Sequence, residues 1–130
     1  MRRFITVISS SLALLAVLAI AVPAASAAVQ RQIALHGSSS FPNATGTAQY
    51  QASSSQRELQ VEVEHIKVLV GKHVNIFVNG AKWASPTVSS LGKVDVSRNT
   101  ELGQSVPTIK SGSTVRVRTL GGTLIAGGTF

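Results

Sequence analysis

Cysteine is absent from this chain, aromatic residues amount to 5%, and only five acidic residues stand against twelve basic ones. Without cysteine there is no disulfide, no thiolate metal site and no cysteine nucleophile, so stability has to come from a core and a hydrogen-bonded framework. The acids are Glu58, Glu62, Glu64, Asp95 and Glu101. A glycosidase holds two carboxyl groups about 5 to 9.5 Å apart across a sugar. Glu62 and Glu64 share a strand face by alternation, but side by side and toward solvent. A serine hydrolase needs Ser, His and an acid from separate loops; no Gly-x-Ser-x-Gly elbow occurs and Asp95 is the single aspartate. His36, His65 and His73 form no His-x-His or His-x-x-x-His pair. No catalytic residue, metal or cofactor is therefore expected, and the chain reads as non-enzymatic. The competing enzyme reading is a small secreted hydrolase whose acid pair does not show in the sequence.

Long apolar runs are also missing, with one exception. Phe4 to Val22 is almost unbrokenly apolar, follows the basic start Met1-Arg2-Arg3, and leads into Pro23-Ala24-Ala25-Ser26-Ala27. This is the pattern of a secretory signal peptide over 1–27, with Ala25 and Ala27 at the small-residue positions before the cut and Ala28 as the first mature residue. A retained anchor is the alternative, since the run approaches the ~20 residues that span a bilayer. The cleavage signature directly after the run, with no basic stop-transfer cluster behind it, favours removal. The expected location is extracytoplasmic, secreted or in the cell envelope, with membrane contact only through the leader before cleavage. Arg2 and Arg3 belong to the leader, so ten basic residues remain against five acidic ones, a charge of +5 in place of +7. Residues 28–130 are long enough for one domain with its own core.

In this remainder the hydrophobic period is two. Leu59, Val61 and Val63 alternate with Gln60, Glu62 and Glu64; Val74, Ile76 and Val78 with Asn75 and Phe77; Val94 and Val96 with Asp95; Val115 and Val117 with Arg116 and Arg118. Gly, Ser, Asn and Pro clusters separate these runs, and no segment has the 3.6 period of a helix. The fold class expected is all-β: a single antiparallel β-sandwich or small barrel of about seven to nine short strands, preceded by a signal-peptide helix.

Asn79-Gly80 accepts the positive φ angles of a type I′ turn. Counting outward, Val78 faces Ala81, Phe77 faces Lys82 and Ile76 faces Trp83, which puts Trp83 in the core and Phe77 outside. A second hairpin is expected with its turn at Leu120-Gly121 or Gly121-Gly122. Either choice sends Val115, Val117, Leu124 and Ala126 inward, and Arg116, Arg118, Thr123 and Ile125 outward. The pattern Gly71-x-x-Val74-x-Ile76-x-Val78-x-Gly80 returns 41 residues later as Gly112-x-x-Val115-x-Val117-x-Thr119-x-Gly121. A duplicated hairpin explains it, and so does shared strand grammar.

Outward Arg116 and Arg118, with Lys82 and Phe77, are the candidate ligand-binding residues, and Lys67, Lys72, Lys93 and Lys110 are candidate additions. The candidate partners are an anionic surface polymer or an extracellular protein; with the leader's charge set aside, nucleic acid is not expected. The competing structural reading pairs these arginines with outward Glu62 and Glu64 on a neighbouring strand. The expected function is a non-catalytic exported module with a structural or binding role at the cell surface or in the extracellular matrix. Its more specific alternative is a polyanion- or carbohydrate-binding module that uses a basic sheet face.

The order Leu35-x-Gly37, Gly46-x-Ala48-x-Tyr50, Arg57-x-Leu59-x-Val61-x-Val63, Val78-Asn79-Gly80, Gly103-Gln104-x-Val106-Pro107 and Gly127-Gly128-Thr129-Phe130 resembles small secreted bacterial β-rich domains. Its first half is distantly similar to chordin-type (CHRD) domains, although their His-x-His segment is missing. The resemblance implies a β-rich fold without established enzymatic activity and carries no binding residue over to this chain.

Overall fold

The computed structural model describes residues 28–130, and the leader expected over 1–27, with its helix and with Ala25 and Ala27, lies outside the described residues. Ala28 precedes the first strand and is exposed. Eight strands follow: β1 (Val29–Gly37), β2 (Thr45–Ala52), β3 (Arg57–Glu64), β4 (Val74–Val78), β5 (Ala81–Ala84), β6 (Val94–Asn99), β7 (Thr114–Thr119) and β8 (Leu124–Thr129). All neighbours are antiparallel and form one sheet in the order β5-β4-β7-β8-β1-β2-β3-β6. This is a nearly closed, barrel-like sheet, so the all-β expectation holds and the barrel describes it better than two separate layers. The sheet and its core lie within residues 28–130, which gives this segment the means to fold by itself.

Alternation fills the interior. Leu59, Val61 and Val63 of β3 stand in register with Tyr50, Ala48 and Gly46 of β2 on one side, and Val61 and Val63 with Val96 and Val94 of β6 on the other. From β4 and β7, Val74, Ile76, Val78, Val115 and Val117 are buried in the same cluster. β-Branched residues dominate because their stiff χ1 suits a pleated, enclosed surface.

The edges that remain unpaired in the ladder are β5 and β6, and side chains bridge them. Arg98 stands opposite Leu59, an inward register position, yet carries a charge. Its guanidinium lies 5.1 Å from the centre of the Trp83 ring and donates to the Trp83 carbonyl at 2.6 Å. The indole N–H of Trp83 donates to the carbonyl of Ser105 at 3.0 Å, tying the β6–β7 connection over the same gap. Arg57, two positions before Leu59, donates to the carbonyl of Val106 at 2.9 Å.

Both hairpins depart from the simple count by one residue. Asn79 and Gly80 have φ of 52° and 82°, as a type I′ turn requires, and Val78 faces Ala81 and Phe77 faces Lys82. Beyond that a bulge intervenes and Ile76 pairs with Ala84, so Trp83 is the extra residue; it is buried, as expected, but beside Ala84 rather than opposite Ile76. The second hairpin has a three-residue loop, Leu120-Gly121-Gly122, with Gly122 at φ 99° and the Thr119 N–H donating to the Thr123 carbonyl. Arg118 therefore faces Leu124, and a bulge then brings Val117 opposite Ala126 with Ile125 as the extra residue. The expected parity of Leu124 and Ile125 is thus corrected: Ile125 is fully buried, and Leu124 shares the outer face with Arg118.

The loops fall at two ends. The β1–β2, β3–β4, β5–β6 and β7–β8 connections share one end, fixed by the register pairs Thr45 with Glu64, Val63 with Val94, and Val74 with Thr119. The β2–β3, β4–β5 and β6–β7 connections, with Ala28 and Phe130, share the other.

Candidate functional site

Three outward side chains form one row across three strands: Lys82 of β5 faces Phe77 of β4, which faces Arg116 of β7. One step along the strands, Asn75, Arg118 and Leu124 make the adjacent row. The sheet therefore brings together the four residues expected to bind, Lys82, Phe77, Arg116 and Arg118, although 29 residues of chain, 85–113, separate β5 from β7.

Local chemistry holds the two arginines in place. On β8, Gly127 is the partner of Arg116, and a Cβ there would sit 2.9 Å from the Arg116 Cδ, so the missing side chain leaves a channel for the arginine stem. The guanidinium then donates through Nη1 to the carbonyls of Gly128 and Val115, at 3.1 and 3.2 Å. Arg118 donates through Nη1 to the Gly122 carbonyl at 3.2 Å, in the β7–β8 loop. A guanidinium has five N–H donors, so each keeps donors for a ligand. Phe77 is half-buried between two cations, with its ring on the outer face.

The expected pairing of Arg116 and Arg118 with Glu62 and Glu64 does not occur. Those glutamates lie on β3, four places from β7 in the sheet, and Glu62 binds Lys93 at 2.9 Å instead. Hydrogen bonding and attraction to Glu62 raise the Lys93 pKa above the ordinary 10.5. Four of the five acids sit on β3 and β6, and Glu101 on the short 3-10 turn Thr100–Leu102 that follows. The outer faces of β4, β5 and β7 carry no carboxylate at all. Of the other lysines, Lys93 is taken by Glu62, Lys67 and Lys72 lie in the β3–β4 connection, and Lys110 lies in the β6–β7 connection at the opposite end.

Sequence alternation did not reveal that Glu62 and Asp95 are register partners. Like charges directly opposite repel, and here each has a compensating neighbour: Lys93 at Glu62, and Gln60, whose amide donates to Asp95 Oδ1 at 3.0 Å. They stand on the open outside of the sheet, beside one another rather than across a cleft. Among the described residues no group of three or more His, Asp or Glu side chains is arranged to hold a metal ion. His36, His65 and His73 are all exposed; His36 lies on β1, and His65 and His73 stand at the two ends of the β3–β4 connection.

The fold and this face define an antiparallel barrel-like module with a cationic, aromatic-centred outer face. No protein-family model, curated protein or solved structure matches the chain.

Proposed function

We propose that residues 28–130 are a non-catalytic exported module that works at the cell surface or in the extracellular matrix by binding, and that the β5-β4-β7 face is the surface it binds with. The observation that carries this is the row Lys82–Phe77–Arg116 with Arg118 beside it, on a face without a carboxylate. Unneutralised cations of fixed geometry attract a polymer of negative charge, and a ring between them offers a flat apolar contact to its repeat units. The leader pattern at 1–27 supports export, and the likeness to β-rich chordin-type domains agrees with a role without catalysis. The open setting of Glu62 and Asp95 weighs against a hydrolase, which needs its acid pair around a substrate.

The test is retention of residues 28–130 on immobilised dextran sulfate, with neutral dextran as control. Retention on the sulfated polymer alone, eluted by salt and reduced when Arg116 and Arg118 become Ala, is the expected result. Equal retention on both matrices, or none on either, rejects the reading.

A further inference from the structure

The end of the barrel formed by the β1–β2, β3–β4, β5–β6 and β7–β8 connections has a different character from the basic face. Six large apolar residues of the described chain are exposed, and four of them are here: Val68 at 75%, Leu91 at 73%, Leu120 at 64% and Val70 at 42%. They come from three separate connections. Ile66 and Val88 anchor two of these in the core. The Ile66 N–H donates to the Gly92 carbonyl, the Gly71 N–H to Val88 and the Val88 N–H to Lys72. The β3–β4 and β5–β6 loops that carry Val68, Val70 and Leu91 are thus bonded to one another, the β7–β8 loop that carries Leu120 is closed by its own Thr119–Thr123 bond, and these side chains stay in water although burying a leucine is worth ~2 kcal/mol.

Cations stand beside the apolar tips. A depression of about 450 Å³ is lined by Leu69, Lys72, His73 and Leu120. Another of about 410 Å³ is lined by Asn43, His65, Lys67 and Leu91. Each joins one lysine to one exposed leucine. The stem of Lys67 passes close over Gly92, where an added Cβ would meet its Cγ at 2.5 Å. The four connections carry no carboxylate.

We propose that this end docks on an anionic phospholipid bilayer, with Leu91, Leu120 and Val68 entering the headgroup and upper acyl region while Lys67 and Lys72 meet the phosphates. An apolar tip with a cation beside it, both on one hollow, suits such a surface, apolar below and negative above. The proposal extends membrane contact beyond the leader and does not depend on the basic face being a polymer site. It also sets an orientation: Ala28 lies at the opposite end, so the docked module turns its N-terminal side away from the lipid.

Residues 28–130 are to be sedimented with phosphatidylcholine vesicles and with vesicles that also contain phosphatidylglycerol. Binding to the phosphatidylglycerol vesicles alone is expected. Leu91→Ser with Leu120→Ser should weaken it at least about tenfold, and Lys67→Gln with Lys72→Gln about fivefold per lysine. Arg116→Ala with Arg118→Ala leaves the leucine dependence in place, so failure here and failure of the polymer reading are separable. In Leu120→Trp, brominated acyl chains should quench the new indole and leave the buried Trp83 unquenched. The proposal is overturned if the phosphatidylglycerol vesicles bind nothing, if the leucine substitutions change nothing, or if sedimentation velocity shows a dimer that those substitutions dissolve. Because the substituted side chains are exposed, an unchanged melting midpoint is the check on folding.

Discussion

Arg98 and Trp83 show how one contact can do the work of missing ladder hydrogen bonds. An arginine in an inward register position is costly unless its charge is met, and here the indole face and a backbone carbonyl meet it together. Arg98→Ala should lower stability by about 1–2 kcal/mol, and Arg98→Lys should recover only part of it because the planar fork is lost. A urea titration followed by the emission of Trp83, the chain's single tryptophan, reads both. Glycine supplies a second residue-scale test. A Cβ at Gly46 would fall 2.2 Å from the backbone oxygen of Glu62, whereas at Gly121 the nearest atom is 3.9 Å away. Gly46→Ala should therefore cost ~3 kcal/mol or more and Gly121→Ala no more than about 0.5 kcal/mol, as the difference in urea midpoint will show.

The two bulged hairpins carry the lesson of the element scale. In both, the second strand gains one residue at the same place, and that residue, Trp83 or Ile125, is buried next to a buried alanine, Ala84 or Ala126. The first strands pair with each other so that Val74 meets Thr119, Ile76 meets Val117 and Val78 meets Val115. With the 41-residue offset of the repeated pattern, this register is symmetric about Ile76 and Val117, and it favours a duplicated hairpin over shared strand grammar. Strands β3, β4, β6 and β7, the Asn79-Gly80 turn and the outward Lys82, Phe77, Arg116 and Arg118 were legible from alternation and turn chemistry, whereas β1 and β2, rich in Gln and Ala, carry too little apolar alternation to be read as strands. The bulges were not, because alternation assumes one residue opposite one residue, and Leu124-Ile125-Ala126 is apolar throughout, so no polar residue marks the slip. The distinction is measurable: Ile125→Ala should cost about 2–5 kcal/mol, and Leu124→Ala well under half of that. A larger cost at Leu124 than at Ile125 would restore the simple count.

Across the whole molecule the acids are segregated from the outer face of β5, β4 and β7, although Arg57, Lys93 and Arg98 lie among them, and no single strand displays this. Acids collect on β3, β6 and the turn behind them, cations with Phe77 on β5, β4 and β7, and lysine–leucine pairs at one end. The composition showed only the net excess of base; the separation required the sheet order, in which β3 and β7 stand four places apart. The one ion pair among the described residues, Lys93 with Glu62, belongs to the acidic side. Its lysine pKa is raised in the folded state, so its contribution is complete at neutral pH and is lost as pH climbs through the raised value, above 10.5. Lys93→Met should accordingly lose stability relative to the parent at pH 7 and little at strongly alkaline pH, by urea midpoints at each. The segregated basic face is the central proposal, and the salt dependence of dextran sulfate binding tests it most directly. Counterion release makes the logarithm of affinity fall with the logarithm of salt concentration, and each arginine removed should flatten the slope by about one. A slope reduced by about two in Arg116→Ala with Arg118→Ala, at unchanged folding, is the expected result; an unchanged slope would contradict it.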